Sequence, residues 1–395
     1  MERRIPVTVL CGYLGSGKTT LLNYLLTCDH GHKVAVIVND MSEVNIDAEL
    51  VRQGGFSRAE EELVQMQNGC ICCTLRGDLL REVDRLSRLG TIDYILIEAS
   101  GISEPIPIAM TFVCQDESQE IDLAQKTRLD TMVTVVDAHR FWIDFGKGDA
   151  LIARQAEDEL KEEDIMDLII SQIEFCDVIV LNKCDLLSDD EIGKVETVVR
   201  TLQPSAKVIR STKGIVDPSD ILDTGLFNFN QAYDSPGWLQ ELNQEHHTPE
   251  TEEYGISSFV YEAIRPFHPE RIKDYLCNGL PDSVVRAKGF MWIPNYNDYS
   301  ILMEQAGKNV DIYPTSYWAA TMPEDELAEY FEECPESLET WDPKYGDRRN
   351  QLVFIGIQLD KEGIVNELDS RLLSDSEMLG DWNSLPDPFE WEIVE

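Results

Sequence analysis

Ile5-Pro6-Val7-Thr8-Val9-Leu10-Cys11-Gly12-Tyr13-Leu14-Gly15-Ser16-Gly17-Lys18-Thr19-Thr20-Leu21-Leu22-Asn23-Tyr24-Leu25-Leu26 is the stretch that decides the fold. A short apolar run, Ile5–Leu10, passes through a glycine-rich turn into an amphipathic helix, Thr19–Leu26. Gly12 to Thr19 fits G-x-x-x-x-G-K-[ST], with a strand before it and a helix after it, the context in which this pattern cradles phosphate. Glycines there let backbone N–H groups converge on phosphate oxygens, and the helix N-terminus adds its dipole. Lys18 is expected to reach the β- and γ-phosphates and to serve catalysis, and the Thr19 hydroxyl to ligate Mg²⁺. Gly12, Gly15, Ser16, Gly17 and Thr20 complete the expected nucleotide-binding set. The plain alternative, a glycine turn with a chance lysine, explains less of the context.

Outward from this stretch the same grammar repeats. Short apolar runs recur at Val34–Val38, Tyr94–Ile97, Met132–Val136, Val178–Leu181 and Ala206–Ile209. They are apolar throughout rather than alternating, as strands covered on both faces are. Amphipathic stretches such as Leu75–Leu89 and Ile165–Phe175 lie between them. Strand and helix in alternation predict an α/β fold, a doubly wound and mostly parallel sheet over residues 1–225. Such sheets bind ligands beyond the carboxyl ends of their strands, and the polar motifs fall there.

Asn182-Lys183-Cys184-Asp185 follows the run Val178–Leu181. An ionised Asp185 can accept from guanine N1–H and N2–H₂ together, whereas adenine offers an acceptor at N1 and no 2-amino group. A lost charge-assisted bond costs about 1.5–3 kcal/mol, which favours GTP. Asn182 would tie the base to the phosphate loop, and the Lys183 stem would cover the base plane. The run Tyr94–Ile97 ends in Glu98-Ala99-Ser100-Gly101, with Glu98 in place of the usual magnesium-side aspartate. Its carboxylate can hold Mg²⁺, directly or through water, or orient the attacking water, and Gly101 can offer its N–H to the γ-phosphate. A glutamate that merely ends a strand is the alternative. Asn39-Asp40-Met41-Ser42-Glu43 reads as a second nucleotide-sensing loop or as a plain acidic turn.

Lys plus Arg number 33 and Asp plus Glu 74 among 395 residues, a formal net charge of −41. A surface of that sign repels phosphate backbones and anionic lipid heads, which argues against nucleic-acid and membrane partners. No apolar run approaches the roughly 18 residues that suggest a membrane span. Met1-Glu2-Arg3-Arg4-Ile5-Pro6 lacks a secretory apolar region, so the expected compartment is the cytoplasm. Ten cysteines are too few for a disulfide framework in a chain of this length, and three crowd into Gly69-Cys70-Ile71-Cys72-Cys73. In a reducing compartment that spacing points to metal or redox chemistry. Cys70, Cys72 and Cys73 can give Zn²⁺ two or three soft ligands, in an exchangeable shell completed by a carboxylate, His or water. Glu43 is a candidate for that carboxylate. Cu(I) also suits thiolates, and a redox pair or inert buried thiols stay open.

Over residues 226–253 the alternation stops and the composition reads as a linker. A smaller α+β unit is expected over 254–374. Its signs are alternating Ile256–Tyr261, helix-like Pro269–Asn278, strand-like Gly289–Ile293 and Leu352–Gln358, and helical Lys361–Leu373. Residues 375–395 form an acidic tail without Lys or Arg, expected to be flexible or loosely docked through Trp382, Phe389 and Trp391.

These motifs resemble the CobW family of P-loop GTPases, relatives of the nickel-insertion GTPases of hydrogenase and urease maturation. The resemblance rests on Gly12–Thr19, Gly69–Cys73, Glu98–Gly101 with Pro105, and Asn182–Asp185. In the second unit it rests on Arg265–Arg271, Lys288–Trp292 and Gly346–Arg349. The run Glu43–Ala48 looks closest to the family's bacterial zinc-responsive YciC/ZagA branch. The resemblance implies a slow, Mg²⁺-dependent GTPase that takes up Zn²⁺ at the cysteine motif and delivers it to client apoproteins. Cobalt or iron as the cargo, and a zinc-sensing regulatory protein without transfer, are the alternatives; self-association stays open. Some relatives have a glutamate metal ligand where this chain has Val38.

Overall fold

The computed structural model describes residues 4–39, 62–66, 76–113, 123–146, 162–237, 239, 256–306 and 309–391. The chain divides into two units, Met1–Gly237 and Trp238–Glu395. Each has its own sheet and its own apolar core.

The first unit holds seven strands: Ile5–Cys11 (β1), Val34–Asn39 (β2), Glu62–Met66 (β3), Tyr94–Glu98 (β4), Thr127–Asp137 (β5), Val178–Asn182 (β6) and Lys207–Arg210 (β7). They lie in the order β3-β2-β4-β1-β5-β6-β7, and every neighbouring pair is parallel. β4 and β6 are buried from end to end and β1 nearly so, which is why these runs show no alternation. From β1 the chain runs to β2 and β3 on one side, and from β4 it crosses β1 to β5, β6 and β7 on the other, so the carboxyl ends of β1 and β4 lie at the topological switch point where such sheets bind ligands.

Helices run over Lys18–Thr27 (α1), Arg76–Ser87 (α2), Pro105–Val113 (α3), Ala138–Gly146 (α4), Glu162–Glu174 (α5) and Asp189–Leu202 (α6). Leu21, Leu22 and Leu25 of α1 enter one core with Leu10, Val36, Val133, Val135 and Val180. Full burial of each leucine is worth about 1.5–3 kcal/mol, so this face holds α1 and the loop before it against the sheet. Val38 belongs to the same core and is fully buried, as a packing residue. α6 starts at a capping box, with Ser188 accepting from the Glu191 N–H and the Glu191 carboxylate accepting from the Ser188 N–H.

Three local readings of the first unit change. β3 had no sequence signal, because its five residues begin with Glu62 and include Gln65; it joins the sheet as an edge strand beside β2. β5 starts five residues earlier than its apolar run, since Asp130 is tolerated inside it. That carboxylate is fully buried and accepts from the Tyr94 hydroxyl (2.9 Å) and the Thr224 and Gly225 N–H groups (2.9 and 3.1 Å), and it pairs with Arg128. These donors meet its oxygens, as buried polar groups require, and offset part of the cost of burying its charge. Where a linker was expected, Phe229–Asp234 (α7) is helical, capped by the Asn228 side chain, and Phe227 and Phe229 pack edge-on against Phe175.

The second unit is a five-stranded antiparallel sheet of Ile256–Ala263 (β8), Val284–Met291 (β9), Tyr299–Ala306 (β10), Asn309–Tyr317 (β11) and Asn350–Ile357 (β12), ordered β11-β10-β9-β12-β8. Pro269–Asn278 (α8) and Lys361–Arg371 (α10) share its core through Ile272, Tyr275, Leu276, Ile364 and Leu368. Glu324–Glu333 (α9) and the β10–β11 hairpin were not expected. β11 is an exposed edge strand interrupted by Pro314, so its sequence carries little strand character.

Of the two expected readings of the acidic tail, residues 375–391 follow the docked one through Trp382, Phe389 and Trp391, and charge pairs make the docking firm. Arg271 donates twice to Glu377 (3.0 and 2.8 Å), and Arg265 pairs with Asp375 at 2.7 Å. Lys273 donates to the Pro388 carbonyl at 2.6 Å, and the Tyr296 hydroxyl donates to Asp387 at 2.6 Å. Trp391 packs on the rings of Tyr296 and Phe389. The cations that the tail lacks are supplied by α8 and the segment before it. Among the described residues, no helix is long and apolar enough to cross a membrane.

Candidate active site

β1 delivers the chain into the loop Gly12–Gly17, and α1 takes it away at Lys18. Gly12 and Gly17 have φ of +138° and +105°, in the left-handed half of backbone space that only glycine enters freely. Space forbids a side chain as well. A Cβ at Gly12 would stand 2.3 Å from the Val135 carbonyl oxygen, and one at Gly17 would stand 2.2 Å from Asn182 Nδ2.

Lys18 is buried, and its ammonium donates to the carbonyl oxygens of Gly12 (2.7 Å) and Tyr13 (3.3 Å). The positive charge is thus held over the hollow of the loop, where a phosphate oxygen can compete for it. The Thr19 hydroxyl donates to Glu98 Oε1 at 2.7 Å. Parallel pairing of β1 with β4 sets Leu10 opposite Glu98 and so brings this buried carboxylate to the same sheet edge. A hydroxyl and a carboxylate one hydrogen bond apart are the hard oxygen donors that Mg²⁺ prefers, so the residues present fit that ion.

After β4 the chain passes Gly101, where a Cβ would lie 2.6 Å from Leu14 Cγ of the phosphate loop. The next turn is clamped. Ser100 and Ser103 share a hydroxyl bond of 2.7 Å, and Gln172 of α5 donates to the Ser103 carbonyl at 2.9 Å. Any ligand that moves Gly101 therefore works against both the loop and α5.

Asn182 ends β6, and its amide bridges two loops: Nδ2 donates to the Ser16 carbonyl (2.9 Å) and Oδ1 accepts from the Gly214 N–H (3.0 Å). Lys183 follows with φ 61° and ψ 31°, and its ammonium meets Asp137 Oδ2 at 2.6 Å. Asp185 is exposed on the short turn Cys184–Leu186. Thr20, also exposed, lies where α1 meets Gly214, whose φ is +70° and whose added Cβ would stand 2.8 Å from the Leu21 nitrogen.

The structure thus gathers Gly12, Gly15, Ser16, Gly17, Lys18, Thr19, Thr20, Glu98, Gly101, Asn182, Lys183 and Asp185 at the carboxyl edge of one sheet. Asp40, Glu43, Cys70, Cys72 and Cys73 lie outside the described residues. Among the described residues, no group of three or more His, Cys, Asp or Glu side chains is placed to hold a metal ion. Burial pushes the Cys11 thiol up to about 12, despite the nearby Lys18 charge, and also raises Cys176 and Cys184. These thiols stay protonated at neutral pH and are poor soft ligands.

Sequence reasoning missed two contributors. The turn Ser211–Gly214 after β7 receives Asn182, and its signal was a glycine just beyond an apolar run. Asp137 closes β5 opposite Asn182 and pairs with Lys183; its signal was a carboxylate at the end of an apolar run. Beside them Arg140 stacks its guanidinium 4.7 Å over the Tyr13 ring of the phosphate loop.

Known proteins share this organisation in sequence. A family model described as CobW/HypB/UreG, nucleotide-binding domain, matches residues 6–210, and one described as cobalamin synthesis protein CobW C-terminal domain matches residues 256–372. Zinc-regulated GTPase metalloprotein activator 1 of Dictyostelium discoideum is 43% identical, over 98% of this chain and 84% of its own length. The zinc chaperone CobW of a Sinorhizobium species is 31% identical, over 81% of this chain and 90% of its own. The zinc chaperone YjiA of Escherichia coli is 29% identical, over 91% of this chain and 96% of its own. With both family models matched in order along one chain, and with the phosphate loop, the carboxylate strand and the N-K-x-D turn at one sheet edge, the chain belongs to the CobW family.

Proposed function

We propose that this chain is a GTP-hydrolysing zinc metallochaperone of the cytoplasm, where thiolates stay reduced. The observation that carries the reading is the convergence of Lys18, Thr19, Glu98 and Asn182 on one loop. Lys18 would leave the Gly12 and Tyr13 carbonyls for the β- and γ-phosphates, exchanging dipole contacts for full charges. Thr19 and Glu98 would hold Mg²⁺, which supplies charge neutralisation between the β- and γ-phosphates. Gly101 would report the γ-phosphate, and Asp185 would read the guanine edge. Without a catalytic group supplied by a partner, turnover should be slow.

The cargo reading rests on Gly69-Cys70-Ile71-Cys72-Cys73 and on relatives named as zinc chaperones and as a zinc-regulated metalloprotein activator. The motif falls in sequence between the Asp40–Glu43 and Glu98–Gly101 segments, so a nucleotide that orders both would tighten the thiolates between them. Hydrolysis would loosen them and release Zn²⁺ to a client metalloprotein. Such coupling is reciprocal: if GTP tightens zinc binding, zinc tightens GTP binding by the same factor. Zinc competition titrations with a non-hydrolysable GTP analogue and with GDP test it. A tighter zinc complex with the analogue is expected, lost in Cys72→Ser while nucleotide still binds; equal zinc affinity in the two states would overturn the coupling.

A further inference from the structure

We infer that Asp137 is a specificity-determining positioning residue, whose carboxylate holds the left-handed turn at Lys183 that aims Asp185 at the base. The inference rests on the proposed reading of Asp185 as the acceptor for guanine, and it goes beyond the N-K-x-D motif by naming what holds that motif in shape.

Asp137 is the last residue of β5 and stands directly opposite Asn182 in the parallel register. Its carboxylate is engaged at both oxygens: Oδ1 accepts from the Arg140 N–H at 3.0 Å, capping α4, and Oδ2 meets the Lys183 ammonium at 2.6 Å. With only 16% of the side chain exposed, it is a fixed post on a sheet edge rather than a mobile surface acid. Lys183 adopts φ 61° and ψ 31°, a region where its Cβ crowds the backbone. A non-glycine residue stays there only when its surroundings hold it.

The contacts of Lys183 determine where Asp185 goes. Its carbonyl accepts from the Leu186 N–H at 3.1 Å and so closes the turn that carries Asp185. The same turn is tied from its other side by the Cys184 N–H, which donates to the Ser211 carbonyl at 3.2 Å. Asp137 therefore acts on the base edge through Lys183: it anchors the stem that covers the base and keeps the strained residue from relaxing into the extended region. Relaxation would swing Asp185 off the two guanine donors.

Inosine diphosphate makes the decisive probe, because hypoxanthine keeps N1–H and lacks the 2-amino group. The full chain and its variants are titrated with GDP, IDP and XDP in Mg²⁺, alongside thermal melts. Asp137→Asn keeps an oxygen for the Arg140 N–H and removes the charge that holds Lys183. It is expected to lower the preference for GDP over IDP about fivefold, as befits a half-buried ion pair, with the melt little changed. Lys183→Met is expected to do the same, and the double variant to be no worse than either single one, since both remove one linkage. Equal weakening of GDP and IDP, an unmoved preference, or additive losses in the double variant would each overturn the inference.

Asp185→Asn separates the two readings. Its amide can donate to the xanthine 2-carbonyl, so preference should pass from GDP to XDP. If it does not pass, the guanine reading and the inference built on it fall together. If it passes while Asp137→Asn leaves the GDP-to-IDP preference unmoved, the positioning role alone falls.

Discussion

Gly17 shows how much one missing methyl group decides. Its φ of +105°, and the 2.2 Å that would separate an added Cβ from Asn182 Nδ2, leave no room for alanine unless the loop or the Asn182 bridge gives way. Gly17→Ala should cost about 1–3 kcal/mol in urea unfolding and weaken GDP binding at least tenfold, read by fluorescent-nucleotide titration. Asp177 makes a pH-dependent case at the same scale. Burial pushes its carboxyl up to about 6, against the pull of the Met132 N–H that donates to Oδ2 at 2.7 Å, with the Asp130 charge adding to the rise. The folded state thus binds this proton more tightly than the unfolded one, so its contribution to stability falls as pH rises from about 4 to 6, on the order of 3 kcal/mol in all. Asp177→Asn keeps an acceptor for Met132 and loses the charge. The variant should gain on the parent in melting temperature at pH 8 and not at pH 4; a gain independent of pH would contradict the assignment.

Elements follow sequence where burial is uniform and depart from it where partners are remote. Five of the six apolar runs became strands buried on both faces, while the sixth became the half-exposed edge strand β7, and α1 formed where glycine, lysine and leucine spacing demanded it. β3 and β11 were silent, since edge strands have one free side and accept polar residues. The tail's aromatic anchors were legible, but its polar ones were silent for another reason: Arg265, Arg271 and Lys273 lie about a hundred residues earlier, and only folding brings them within reach. Trp391→Ala removes its stacking on Tyr296 and Phe389. It should destabilise the second unit by roughly 1–2 kcal/mol and speed hydrogen exchange over 375–391, while leaving GDP affinity unaltered.

At the scale of the whole molecule, two cores in one chain imply two cooperative events. Calorimetry is expected to resolve two transitions, one for each unit. GDP with Mg²⁺ at a hundred times its Kd should stabilise the first unit by about 2.7 kcal/mol and leave the other transition in place. A single transition that shifts as a whole would show the units to be energetically coupled.

The amino-acid sequence by itself determined the α/β class, the phosphate loop, the carboxylate that ends β4 and the N-K-x-D turn, because each is written in contiguous residues whose chemistry is local. Asp137 and Gly214 were decided only by tertiary structure. Each is an ordinary residue in its own stretch, and each gains its meaning from a parallel register or a close backbone approach across the sheet edge. The arrangement of Asp130 inside β5 belongs with them, for a buried carboxylate is readable as a strand residue only once the distant Tyr94, Thr224 and Gly225 donors are seen to satisfy it. Short-range pattern reports which elements form; which side chains meet is set by long-range packing, which no local window contains.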